Sequence, residues 1–159
     1  MATIESLCES GVLRSIKVRL SRREFEERKL YGTPAFWGWL QGEVRRIEPL
    51  DPANLHPKHQ AHDFIRSYIS GGAFNIGRTF KRMRPVERDV FEFTTPDLRI
   101  FGWFYQPSTF VAVIGDFMEN THSQPGVYDR HRDQVVRFRD EIDLDPPKYI
   151  FGATEHDLL

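Results

Sequence analysis

The sequence predicts an α+β domain spanning residues 1–159: an N-terminal strand and helices, then a three-stranded antiparallel meander, then a C-terminal helix. Three observations carry this. Between Pro34 and Gly71, apolar residues recur at helical spacing between Pro and Gly breaks. From Val90 the chain turns into three short runs rich in β-branched and aromatic residues. After Pro125-Gly126, Tyr128, His131, Val135, Phe138 and Ile142 step by three and four, the stripe of an amphipathic helix.

In chain order, "LRSIKVRL" (13–20) alternates polar and apolar residues and reads as a half-buried strand. Ser21 and Glu24 then have capping-box spacing, which predicts a helix ending at Gly32. Thr33-Pro34 opens a second helix through "AFWGWLQGEVRRI". The Pro-rich "EPLDPANLHP" breaks it, and "PKHQAHDFIRSYI" forms a third helix, stopped by Gly71-Gly72. The runs "VFEFT", "LRIFGWFY" and "FVAVIG" are separated by "TPD" and "QPS", breaks of turn size, as in a meander of hairpins. The two prolines of "DPPKYIFGATEHDLL" keep that part of the tail out of a helix. Helices are expected on one face of the sheet.

An apolar content of 40% with 13% aromatics supports one packed core and argues against disorder. The net charge of −1 gives no global attraction to nucleic acid, so a nucleic-acid site has to rest on a local patch. The single Cys8 excludes an intrachain disulfide and fits a reducing compartment. No run of roughly 18 apolar residues and no basic-then-apolar leader is present, so a cytoplasmic protein without a membrane partner is expected. P-loop, GxSxG and dinucleotide fingerprints are absent, and no cofactor is expected.

The candidate chemistry centres on Arg99, a charge in an otherwise apolar strand. Burying it would be expensive, so it should face a ligand or partner, and pleat alternation aligns it with Phe101 and Trp103. A guanidinium beside aromatics suits a phosphate next to stacked bases. The competing reading is an ion pair with Glu92 on the neighbouring strand. "RTFKRMRP" (78–85) concentrates Arg78, Lys81, Arg82 and Arg84 with no acid, either a track for an RNA backbone or a solvated loop. His122, Tyr128 and His131 follow the third meander strand and can serve as proton carriers or, for the last two, as packing residues. His56, His59 and His62 share a spacing of three, but no Cys or carboxylate completes a metal set, and none is assigned.

The stretch "VFEFTTPDLRIFGWFYQPSTFVAVIGDFMENTHSQP" resembles the RelE/HigB superfamily of bacterial toxin-type ribonucleases, in its phage-derived HigB-like branch. Phe91-Glu92-Phe93 is similar to the family's first strand and Leu98-Arg99-Ile100-Phe101 to its second. Ile114 to Pro125 runs without a gap along the third strand and its loop. The match covers residues 88–127; the segment 32–75 is a longer helical extension than the family has. Two family lysines are replaced by Glu119 and Asn120, and a third by Ser123. The resemblance implies a type II toxin: a metal-independent endoribonuclease that cleaves mRNA, with the ribosome as a possible partner, and that a protein antitoxin neutralises. It implies Arg99, His122, His131 and Tyr128 in catalysis, and Arg78, Lys81, Arg82, Arg84 and Trp103 in RNA binding. The alternatives are a non-catalytic protein- or RNA-binding module on a RelE-like fold, and a metalloprotein built on the three histidines.

Overall fold

The computed structural model describes all 159 residues and arranges six strands as one mixed sheet in the order β1-β2-β6-β5-β4-β3. The chain opens with α1 (Ile4–Glu9), whose Thr3 and Ser6 form a reciprocal cap, and continues into β1 (Arg14–Ile16). β2 (Lys29–Gly32), α2 (Pro34–Gln41), α3 (Glu43–Arg46), α4 (Pro57–Ile69) and β3 (Phe80–Arg82) follow. β4 (Phe91–Thr94), β5 (Leu98–Gln106) and β6 (Thr109–Phe117) pair antiparallel with their sequence neighbours. α5 (Met118–Ser123), α6 (Val127–Glu141) and α7 (Glu155–Leu158) complete the chain. β2 joins β6 as the single parallel pair; the other four pairs are antiparallel.

The α+β class stands, with a wider sheet than the three central strands. Three departures concern short segments. The helix expected after Ser21 does not form. The Ser21 amide does donate to Glu24 Oε1 at 3.0 Å, but Arg66 of α4 takes the same carboxylate at 2.6 Å. The Glu27 and Arg28 amides are drawn to the Ile69 carbonyl, and the chain straightens into β2. The first strand keeps only Arg14–Ile16 of the expected run 13–20. The basic stretch at 78–85 contains strand β3, because Phe80 buries completely and stacks on Phe93 with ring centroids 4.6 Å apart.

Helices cover both faces of the sheet, not one. Leu30, Phe80, Phe91, Phe93, Ile100, Phe104 and Phe110 meet Phe36, Leu40, Phe64 and Tyr68 of α2 and α4 in one core. Tyr31, Phe101, Trp103, Val111 and Val113 meet Ile4 and Leu7 of α1 and Val135 of α6 in the other. Each Phe side chain fully withdrawn from water contributes about 1.5–3 kcal/mol, so the aromatic first core dominates cohesion.

β5 and β6 carry the bulge that sets which residues face which layer. Gly102 pairs with Ala112 but Phe101 pairs with Ile114, leaving Val113 as the extra residue of β6. Beyond it the alternation is reversed: Val113 and Ile114 both join the α6-side core, Gly115 turns under Trp39 of α2, and Asp116 turns toward α6. Gly102 sits where the two strands press closest, and an added Cβ would overlap the Val111 carbonyl. Gly102→Ala should therefore destabilise the fold by about 1–3 kcal/mol, read as a lower urea midpoint. Gly38→Ala, in open space on α2, should leave stability equal or raise it by up to about 1 kcal/mol.

Candidate functional site

Strand pairing brings a row of charges to the α6 side of the sheet. Lys81 of β3 lies opposite Glu92 of β4. Two residues along β4, Thr94 lies opposite Arg99, and Arg99 lies opposite Asp116 of β6. Residues two apart on a strand share a face, so Lys81, Glu92, Arg99 and Asp116 all project the same way. Near them opens a hollow of about 480 Å³, lined by Arg78, Lys81, Glu92, Arg99, His122 and Tyr128 together with threonines 79, 94 and 95 and Pro96. Three short segments supply it: the β3 edge, the β4–β5 turn, and the junction from α5 into α6.

Arg99 is half-buried, and its Nη1 donates to the carbonyls of Thr95 at 2.7 Å and Leu98 at 2.8 Å. These bonds hold the guanidinium over the β4–β5 turn. No carboxylate comes within ion-pair distance of it; Glu92 is matched instead with Lys81, at 3.5 Å, and Asp116 with His131, at 2.8 Å. The expected rival, an Arg99–Glu92 ion pair, is not formed. One face of the guanidinium's hydrogen-bonding capacity is spent on backbone, and the rest is available to an anion.

Glu92 is the residue that sequence reasoning missed as a functional group. It is fully buried, and the nearby donors Lys81, at 3.5 Å, and Tyr128 make no well-formed hydrogen bond to either carboxylate oxygen. Burial pushes its pKa up, while the charges of Lys81 and Arg99 pull it back. A buried carboxyl with a raised pKa, flanked by Lys81 and Arg99 at the wall of a basic hollow, is a candidate functional group. The signal was visible in "FEF": a glutamate between two apolar residues that bury on the opposite face.

Asp116 behaves differently. Burial raises its pKa, but hydrogen bonds from His131, Asn120 and the Phe117 amide outweigh it and hold the carboxyl below the usual range. His131 is thereby tied down: Nε2 meets Asp116 Oδ2, the ring lies on Phe101 at 4.9 Å, and Nδ1 is buried without a partner. His131 does not reach the hollow. It braces α6 against the sheet, and Tyr128, one turn earlier, packs its ring edge-on to Phe101 at 5.8 Å while lining the hollow.

The expected RNA-binding residues divide. Arg78 and Lys81 line the hollow. Arg84 is exposed on an adjoining depression of about 310 Å³ that also includes Lys81, Glu92 and Tyr128. Arg82 alternates to the opposite face, where it bonds Asp89, Glu155 and the Ala153 carbonyl and lies over Phe91 at 4.7 Å; its charge is internally matched. Trp103 is fully buried, with its indole N–H on the Lys148 carbonyl at 2.9 Å, so it offers no surface for a base. The aromatic alternation that suggested a stacking platform is core packing against α6. His122 is exposed at the rim. Among the three N-terminal histidines, His56 caps α4 by accepting from the Lys58 amide, and no three metal-ligating side chains converge anywhere. No helix is long and apolar enough to cross a membrane.

A titration separates Glu92 from its neighbours. An acid with a raised folded-state pKa binds more protons folded than unfolded above about pH 4.5, so stability falls as pH rises through that window. Glu92→Gln removes this penalty. Wild-type urea midpoints should therefore drop relative to the variant between pH 4.5 and 7; parallel curves would show that the carboxyl is not perturbed.

No protein-family model matches the chain, and no curated protein or solved structure is significantly similar to it.

Proposed function

We propose that the hollow under α6 binds the phosphodiester backbone of single-stranded RNA and cleaves it, in the manner the resemblance to RelE/HigB-type toxins implies. One observation carries the reading: Arg99, Lys81 and Arg78 share a hollow with a buried carboxyl and an exposed imidazole. Three cations meet the anionic backbone, and a charge-assisted, bidentate guanidinium contact suits a phosphate. Lys81 and Tyr128 part to admit the ribose to the Glu92 carboxylate, which is buried in the free protein and accepts the proton of the 2′-hydroxyl as its oxygen attacks phosphorus. The P–O5′ bond breaks as the new P–O2′ bond forms, and His122 as imidazolium gives its proton to the departing O5′. Products are a 2′,3′-cyclic phosphate and a 5′-hydroxyl. Arg99 and Lys81 neutralise the charge that builds on the phosphorane oxygens, the role a preorganised cation fills best. Tyr128 narrows the hollow beside Glu92.

On this reading the cellular substrate is mRNA, taken at the ribosome, and a protein antitoxin covers the hollow when the enzyme is silent. The second reading, a non-catalytic module that binds RNA or protein through the same face, draws on Glu119 and Asn120 standing where the resembled family has lysines and on the carbonyls that already occupy part of Arg99. Catalysis and mere binding separate cleanly by experiment.

Induced expression in bacteria should arrest growth and cut mRNA for the wild type, and Arg99→Ala should abolish both while the circular dichroism spectrum is unchanged. Purified wild-type protein should cleave RNA in EDTA to cyclic-phosphate ends, with Glu92→Gln slower by about 10²–10⁴-fold. RNA bound without cleavage by both proteins would establish the module. For binding alone, the slope of log affinity against log salt should be near −2 for three phosphate contacts at about 0.7 each, and Lys81→Ala should reduce its magnitude by about 0.7.

A further inference from the structure

A second hollow, of about 450 Å³, opens on the opposite face of the sheet between α2, α4 and the chain leaving β1. Its floor is apolar: Ile16, Val18, Trp37, Leu40 and Ile65. Its rim is cationic, and no Asp or Glu lines it. We propose that this hollow binds a single-chain amphiphilic carboxylate of medium-chain fatty-acid size, with the tail on the apolar floor and the head between Arg45 and Lys58.

The charges sort themselves by what already neutralises them. Lys17 is paired with Glu26 at 3.3 Å, and His62 stands 3.9 Å from Asp63. Arg45 bonds only the neutral Gln41 side chain, at 3.1 Å, and Lys58 has no carboxylate within ion-pair distance. Two uncompensated cations therefore line an apolar trough, the complement of an anion with a hydrocarbon body. Size selects the occupant class. A hollow of this volume falls within the range of about 300–1,000 Å³ typical of small-molecule sites, whereas a folded partner needs about 800 Å² of surface on each side. Trp37 is only partly buried, and the Arg14 guanidinium rests on its ring at 4.2 Å, which holds the indole in place as part of the floor. The hollow stands apart from the cationic one under α6, so this inference is independent of the ribonuclease reading.

The test uses the full chain and tryptophan fluorescence, with sodium octanoate and decanoate below their micellar range, and decanol and decyltrimethylammonium as controls. Decanoate should saturate at one molecule per chain and bind at least about tenfold tighter than octanoate, since each buried methylene adds roughly fourfold. It should also bind at least tenfold tighter than decanol. The signal should vanish in Trp37→Phe although decanoate still binds by calorimetry. The double variant Arg45→Gln/Lys58→Gln alters two exposed side chains and should keep the fold by circular dichroism while losing the preference for decanoate over decanol. Failure of decanoate to bind, equal affinity for decanol, tighter binding of decyltrimethylammonium, or an unchanged preference in the double variant would each overturn the proposal.

Discussion

The extra residue in β6 is the constraint on which the α6 side of the molecule depends. The same sequence paired without a bulge would keep strict alternation beyond Ala112, and Asp116 would turn toward α2, where Trp39 packs on Phe117 with ring centroids 5.5 Å apart. A carboxylate placed there would have no donor, and burying it would cost several kcal/mol. With Val113 inserted, Gly115 takes the position under the Trp39 ring, where only a residue without Cβ fits, and Asp116 reaches His131. That contact seats the first turns of α6 against β5 and β6. Tyr128 and the α5–α6 junction then stand over Lys81, Glu92 and Arg99, closing a hollow that the sheet alone would leave as an open face.

Two charged clusters on this molecule show what distinguishes a structural network from a poised one. Arg82 is mostly buried, but Asp89, Glu155 and a carbonyl occupy its donors and the Phe91 ring lies under it. Such a network is complete, and it ties the C-terminal segment to the sheet edge. Glu92 is more deeply buried and far less satisfied: its nearest cation is at long ion-pair range, and both oxygens lack hydrogen bonds. Each unsatisfied buried polar atom costs about 1–3 kcal/mol. Burial drives such a group toward its protonated form, and the charges of Lys81 and Arg99 oppose that shift.

The strands β4, β5 and β6 and the helices α4 and α6 were legible because each carries a long periodic or β-rich run with its own stop signals; the helix expected from Pro34 through Ile47 breaks at Gly42 into α2 and α3. The misses share one cause: short segments whose structure comes from partners distant in sequence. Ser21 and Glu24 carry a helix-start pattern, yet Arg66 and the Ile69 carbonyl, more than forty residues away, decide the local path. β3 is three residues long and reads as a basic loop; only pairing with β4 and the stack of Phe80 on Phe93 makes it a strand. The candidate site was half legible for the same reason. Arg99, Arg78, Lys81, His122 and Tyr128 stand out by residue type, and tertiary structure brings them together. His131, Arg82 and Trp103 look equivalent in sequence, but helix phase, strand alternation and core depth remove them from the hollow. Glu92 was overlooked because a lone acid in a strand looks like an ion-pair partner until its burial is known.

A net charge of −1 does not oppose an anion-binding hollow. Charges further apart than the Debye length, about 8 Å at physiological ionic strength, are largely screened, so a backbone phosphate responds to the side chains that line the hollow and to little else. There the formal count is three cations against the single acid Glu92. The acids that neutralise the whole molecule lie elsewhere or are matched, as Asp116 is by His131 and Asp89 by Arg82. Because Asp116 is held by His131 and Asn120, its charge is directed at α6 and α5 and not at Arg99, its cross-strand neighbour. The dyad thus does for electrostatics what the bulge does for geometry: it lets an acid sit beside the guanidinium without consuming it.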